Sequence, residues 1–234
     1  MRYAIVSGGT HGIGRAITEK LLAEGFSVAI CGRNKEDLAA REAEWNEQYP
    51  EASILALQAD LSRKEEAQSF GTAVLANFPQ VDLLVNNVGT YYPGSISREP
   101  DGALEELIGI NLYSAYHLTR ALLPAMKEKK SGHIFNMCSI ASLHAYPNGG
   151  AYSISKYGLL GFSENLREEL KTENIKVTAI CSGAVYSRSW EGSDIDPGRI
   201  MEPPDIATML WAAYTLSAGA TVETIVMRPQ QGDL

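Results

Sequence analysis

The sequence predicts an α/β fold: a single domain on a doubly wound, seven-stranded parallel sheet with helices on both faces. Three observations carry this. Short apolar runs alternate along the chain with helix-like stretches, the order that lays strands side by side in parallel. The first run, Tyr3 to Val6, enters the glycine-rich stretch Ser7 to Gly14, SGGTHGIG, and an amphipathic segment follows at once. The 234 residues suit one α/β domain, and no internal repeat, low-complexity tract or linker-like Pro/Gly/Ser run divides them.

Ser7 to Gly14 reads as strand, tight turn and helix start, which gathers backbone N–H groups and the positive end of a helix dipole where a phosphate can sit. Gly8 lets the strand turn sharply, Gly12 lets a pyrophosphate approach the backbone, and Gly14 lets the helix pack closely on the sheet. The helix runs from Ile13 to Glu24, with Ile13, Ile17, Leu21 and Leu22 at helical spacing, and Gly25 closes it.

The second strand, Ser27 to Cys31, ends at Gly32-Arg33-Asn34. In dinucleotide folds the residue about 20 positions past the glycines meets the adenosine ribose, and an acid there selects NAD. Here that place holds Gly32 with Arg33 beside it. A guanidinium suits a phosphate, so NADP(H) is expected over NAD(H); a solvated loop arginine is the other reading. A polar helix, about Lys35 to Tyr49, precedes a strand from Ile54 to Ala59. Asp60 and Ser62 are expected to cap the next helix, Arg63 to Asn77, and Asp60 also stands at a strand's carboxyl end, where an adenine contact fits.

The fourth strand, Val81 to Val85, runs into Asn86-Asn87-Val88-Gly89. Two asparagines are costly to bury unless their amides are used. One long helix is expected from about Pro100 to Lys129, with Asn111 interrupting its apolar stripe; such an amide is most often satisfied by its neighbours. Gly132 to Cys138 forms the fifth strand and Ser139 follows it. After a loop from Ile140 to Gly150, the helix Ala151 to Lys171 puts Tyr152 and Lys156 on one face by their i,i+4 spacing. Lys176 to Cys181 is the sixth strand. The loop Ser182 to Pro204, with Gly183, Ser187, Trp190, Gly192 and Pro197, is expected to shape a substrate pocket. A helix, Asp205 to Ser217, and a last strand, Thr221 to Met227, complete the domain.

A formal charge of -8 without any basic cluster argues against nucleic acid or an anionic membrane as a partner. No apolar run approaches the roughly 20 residues needed to span a bilayer. The first strand begins at Tyr3 and leaves no room for a signal peptide, so a cytoplasmic protein is expected. Cys31, Cys138 and Cys181 read as buried free thiols, and the four histidines show no metal-ligand spacing.

Taken together, these residues resemble the short-chain dehydrogenase/reductase family, nearly end to end. The family's TGxxxGxG is met by Ser7-Gly8 with Gly12-Ile13-Gly14, its NNAG by Asn86-Asn87-Val88-Gly89, and its YxxxK by Tyr152 to Lys156. Ser139 stands thirteen residues before the tyrosine. The resemblance implies a Rossmann-type sheet and a catalytic group of Tyr152, Lys156, Ser139 and Asn111. It also implies a cofactor site made by Ser7, Gly8, Gly9, Thr10, His11, Gly12, Ile13 and Gly14, by Arg33, by Asp60 with Leu61, by Asn87, Val88 and Gly89, and by Gly183, Val185 and Ser187, with Tyr152 and Lys156. Residues 184 to 204 would be the substrate-binding loop. Three departures stand out. Ser7 replaces Thr and keeps the hydroxyl, Val88 replaces Ala, and Ser182-Gly183 stands in place of Pro-Gly, removing a backbone restraint ahead of Ser187.

The chemistry so implied is hydride transfer between NADP(H) and a small carbonyl or secondary alcohol. Tyr152 would act as general acid or base, Ser139 would hold the substrate oxygen, Lys156 would bond the nicotinamide ribose, and Asn111 would keep a water chain. Bringing a tyrosine from about 10 to about 7 takes roughly 4 kcal/mol, which one cation at about 4 Å supplies at an effective dielectric near 20. Lys156 is therefore expected to acidify Tyr152. Two other readings remain: an NAD-dependent dehydrogenase of the same family, and a non-catalytic dinucleotide-sensing protein. Tyr91, Tyr92, His144, Tyr146, Tyr186 and Trp190 are candidates to line a pocket, and the family implies a homodimer or homotetramer.

Overall fold

The computed structural model describes residues 1–187 and 196–232. Seven strands form one parallel sheet: β1 (Arg2–Ser7), β2 (Phe26–Gly32), β3 (Ile54–Gln58), β4 (Leu83–Asn86), β5 (Gly132–Ser139), β6 (Ile175–Ser182) and β7 (Thr224–Met227), in the order β3-β2-β1-β4-β5-β6-β7. The chain winds outward in one direction from β1 to β3, then returns to β4 beside β1 and winds the other way. The strand order therefore reverses between β1 and β4, and the carboxyl ends there open a crevice, the place where such sheets bind ligands.

The apolar runs are near-continuous because both faces of the sheet are covered. Ala4 and Val6 of β1, Val28 and Ile30 of β2 and Leu83 and Val85 of β4 enter one core, while Ile5, Ala29 and Leu84 between them enter the other. Three helices close the first core: α1 (Gly12–Ala23) through Ile17 and Leu21, α2 (Lys35–Gln48) through Leu38 and Trp45, and a C-terminal helix (Pro203–Tyr214) through Ile206 and Leu210. The second core is closed by α3 (Lys64–Asn77) through Phe70 and by two later helices through Leu118, Leu122 and Leu166.

Two expectations change. The long helix is broken in two: α4 (Ala103–Ile108) leads through a π-helical turn, Gly109–Tyr113, into α5 (Ser114–Lys129). The extra residue of that turn brings Asn111 fully into the interior, and a single stripe of leucines does not reveal it. Asp60 and Ser62 do not cap α3, whose N-cap is Arg63. Asp60 Oδ1 instead accepts from Ser62 N and Oγ at 3.1 and 2.7 Å, a local turn that satisfies the carboxylate before the helix begins. The helix carrying Tyr152 and Lys156, α6, spans Gly150–Leu170, and the C-terminal helix, α7, starts with Pro203 at its first position.

Candidate functional site

The crevice is floored by the turn after β1. Gly8 has φ +65°, the left-handed conformation that sends the chain sharply off the strand, and its N–H bonds Cys31 O at 2.9 Å. A Cβ at Gly14 would lie 2.2 Å from Gly8 O and 2.5 Å from Asn87 Nδ2, so α1 is drawn against its own turn and the end of β4. Ser7 fastens the two strands. Its hydroxyl accepts from Asn87 N and Val88 N at 2.9 and 3.1 Å, while Asn87 Nδ2 donates to Ser7 O and Gly8 O. The hydroxyl shared by Ser and Thr is what this position uses. Thr10 and His11 complete the loop, and Ile13 stands in the first turn of α1. Ser187 reaches it from β6's side: a Cβ at Gly12 would lie 3.9 Å from Ser187 Cβ.

Asn86 uses the nitrogen of its amide, donating to Thr119 Oγ1 at 2.9 Å and Asn136 Oδ1 at 2.7 Å, while its buried Oδ1 is left without a hydrogen bond among the described residues. Asn111 uses both ends of its own: Oδ1 accepts from Thr90 N at 2.7 Å, and Nδ2 donates to Thr90 O at 3.0 Å and Ser155 Oγ at 2.9 Å. It thus ties the segment after Gly89 to the turn of α6 that carries Lys156. A Cβ at Gly89 would lie 3.2 Å from both Asn111 Oδ1 and Lys156 Nζ, so the bare backbone there brings Asn87 to Gly89 up to the lysine.

Lys156 is buried at 5% exposure and donates to Met137 O, in β5, at 2.8 Å. Burial draws its pKa below the ordinary lysine value. Ser139 closes β5; its hydroxyl accepts from Ala141 N at 3.1 Å, and Ser139 N donates to Ser142 Oγ. Tyr152 stands half-buried in the first turn of α6, near enough to Ser139 for the serine hydroxyl to favour its ionised form.

One expectation is reversed. Burial pushes the Tyr152 phenol above its ordinary value; the Ser139 hydroxyl opposes this and the nearby Cys138 adds to it. Lys156 does not offset the burial; its Nζ is committed to Met137 O. Tyr152 is thus set as a proton donor.

The remaining expected residues lie around this core. Arg33 is exposed at the end of β2, next to Gly32, whose missing Cβ would sit 3.8 Å from Thr10. Asp60 is held by Ser62, and Leu61 is buried at 2% exposure. Gly183 N donates to Met227 O, and Val185 bridges to Met201, so the start of the loop after β6 is anchored. Trp190 and Gly192 lie outside the described residues. Of the aromatic candidates, Tyr91 meets the Tyr152 ring edge-on with centroids 4.8 Å apart. Cys31, Cys138 and Cys181 are free and buried. Among the described residues no helix is long and apolar enough to cross a membrane, and no cluster of His, Cys, Asp or Glu is placed to hold a metal.

A glycine turn and an asparagine turn side by side at the strand-order reversal, with a buried lysine against Gly89 on the β5 side, fit a dinucleotide: a side chain at Gly89 would fill the space before Lys156 and Asn111. The fold and site define a nucleotide-binding α/β oxidoreductase. The family model described as short chain dehydrogenase matches residues 2–196, and the chain belongs to that family. It is similar to an uncharacterized oxidoreductase of Staphylococcus saprophyticus, 30% identical over 231 residues that cover 97% of each chain. A metagenomic short-chain oxidoreductase solved in complex with NADP is 31% identical, with a TM-score of 0.84 over 98% of this chain and 97% of that one. The Pseudomonas aeruginosa protein RhlG, solved as an active-site complex with NADP, is 29% identical, with a TM-score of 0.88 over 98% and 95%.

Proposed function

We propose that this chain is an NADP(H)-dependent reductase of a small-molecule carbonyl, running in reverse as a secondary-alcohol dehydrogenase, with residues 184 to 204 as its substrate-binding loop and a homodimer or homotetramer as its working state. A bound reduced nicotinamide dinucleotide supplies the hydride. The observation that carries the reading is the convergence of three side chains beside Gly89: Tyr152 and Lys156 stand on α6, a Cβ at Gly89 would lie 3.2 Å from Lys156 Nζ, and that Nζ bonds Met137 O, two residues before Ser139 at the end of β5.

Each residue has a defined task. The Ser139 hydroxyl donates to the substrate's carbonyl oxygen and fixes it beside the phenol. Tyr152 gives that oxygen its proton as negative charge develops, and burial favours the neutral donor until the proton is needed. Lys156 holds the ribose end of the cofactor from the floor of the crevice. Asn111 acts through Thr90 and Ser155 as a positioning residue, since its amide is engaged at both ends. Arg33 meets the 2′-phosphate of NADP(H), supported by its place at the end of β2 and by the NADP complexes of similar proteins.

The test is consumption of NADPH and of NADH over a panel of ketones, aldehydes and diketones, with Arg33→Ala alongside. The expected result is turnover of at least one carbonyl with NADPH preferred, and loss of that preference in Arg33→Ala. Binding of the dinucleotide with no turnover of any carbonyl would favour a dinucleotide-sensing protein. A preference for NADH that Arg33→Ala leaves unchanged would favour the NAD-dependent reading.

A further inference from the structure

The helix that carries Tyr152 has no cap of its own. Gly149 is the N-cap of α6, no side chain caps it locally, and its first turn holds no acidic residue. The cap comes instead from Glu99, 52 residues earlier, whose Oε1 accepts from Ala151 N–H at 2.9 Å. A carboxylate at this end of a helix satisfies an orphan amide and complements the dipole.

The backbone around this carboxylate is shaped to admit it. A Cβ at Gly150, which has φ +35°, would lie 1.9 Å from Glu99 Oε1, and one at Gly94 would lie 2.6 Å from Glu99 Cγ and Oε1. Two residues without side chains, from separate segments, leave the space the glutamate fills. Gly94 N donates to Asn148 O at 3.0 Å, which joins the segment after β4 to the loop before α6. That segment is secured at both ends, by Asn111 at Thr90 and by α6 at Glu99, and between them Tyr91 rests edge-on against Tyr152.

We infer that Glu99 is a positioning residue for Tyr152: by capping α6 from the loop that carries Tyr91, it fixes the phenol's backbone and the aromatic ring against it. The inference rests on the reductase reading for its consequence in turnover, and on the hydrogen bond alone for the clamp itself.

Hydrogen exchange over residues 150–156, read by mass spectrometry, reports the clamp without reference to activity; kcat, KM and the NADPH Kd report its consequence. Glu99→Ala is expected to speed exchange in this segment about ten-fold. It should lower kcat by about ten-fold while the NADPH Kd stays within about two-fold, because a small misplacement of a reacting group costs rate more than cofactor binding. Glu99→Gln keeps a carbonyl acceptor and should stay close to the unaltered protein in every measure. Should Glu99→Ala fail to fold, Glu99→Asp, one methylene short of reach, carries the same expectations. Unchanged exchange in the Ala or Asp variant overturns the clamp whatever the turnover, and faster exchange with unchanged kcat overturns the positioning role. A Gln variant as impaired as the Ala variant also overturns the inference. If the unaltered protein turns over no carbonyl, the reductase reading fails and exchange alone upholds or overturns the clamp.

Discussion

The two walls of the crevice are held by opposite means. On the β1 and β4 side the shape comes from absent atoms: Gly14 pressed on Gly8 O, and Gly89 against Asn111 and Lys156. On the β5 and α6 side it comes from long-range side-chain bonds: Lys156 to Met137, Asn111 to Thr90 and Ser155, Glu99 to Ala151. An added Cβ at Gly14 or Gly89 of the first wall would meet close neighbours, whereas the second wall depends on side-chain atoms that are present. The division matches the tasks, since a phosphate is bound by exposed backbone amides and a proton is moved by a placed side chain.

The comparison is broken most severely at Lys156, which touches both walls. Lys156→Met should cut turnover by about 10² to 10⁴, the usual range for a group of this kind, and also weaken NADPH binding. Loss of turnover with unchanged binding would assign Lys156 to the second wall alone. Steady-state kinetics and a fluorescence titration of NADPH make the measurement.

Acid should strain the sheet through His133, near the start of β5 and at the opposite end of the strand from the crevice. Its Nε2 lies 2.8 Å from Thr178 Oγ1, its ring stacks on Phe135, and burial holds its pKa down to about 3. The unfolded imidazole takes a proton as pH falls through about 6.5, whereas the folded one does so only near 3. The contribution is therefore full above pH 6.5 and is lost as pH falls toward 3, by up to about 4 kcal/mol. His133→Gln should flatten the dependence of urea-unfolding free energy on pH in this window; an unaltered slope would show that other groups set it.

Adding one methyl to the first wall sharpens the contrast. Gly14→Ala must displace Gly8 O or Asn87, and should cost about 3 kcal/mol of stability, at the upper end for an overpacked site. NADPH binding should weaken at least in proportion. A variant with unchanged melting temperature and affinity would mean that the turn is not tightly packed.

The first wall was legible in the sequence because its determinants are local. SGGTHGIG carries its turn and close approaches within eight residues, and Asn86 and Asn87 follow a strand directly. The sheet was legible too, since strands buried on both faces show as plain apolar runs. The second wall was legible only as residue types. Tyr152 and Lys156 share a helix face, yet nothing in their spacing tells that Nζ turns to Met137 O, so an acidified phenol was expected where burial prevails. The π turn at Asn111 leaves the leucine stripe intact, and Asp60 serves a local turn that looks like a cap in sequence. Glu99 gave no signal at all, because its partner lies 52 residues on and its place depends on two glycines in different segments.

The most direct test of the central claim, that Tyr152 delivers the proton, is Tyr152→Phe assayed for NADPH binding and for carbonyl turnover in one preparation. The account predicts affinity within a few-fold of the unaltered protein and turnover lower by about 10² to 10⁴. Turnover close to that of the unaltered protein would contradict it.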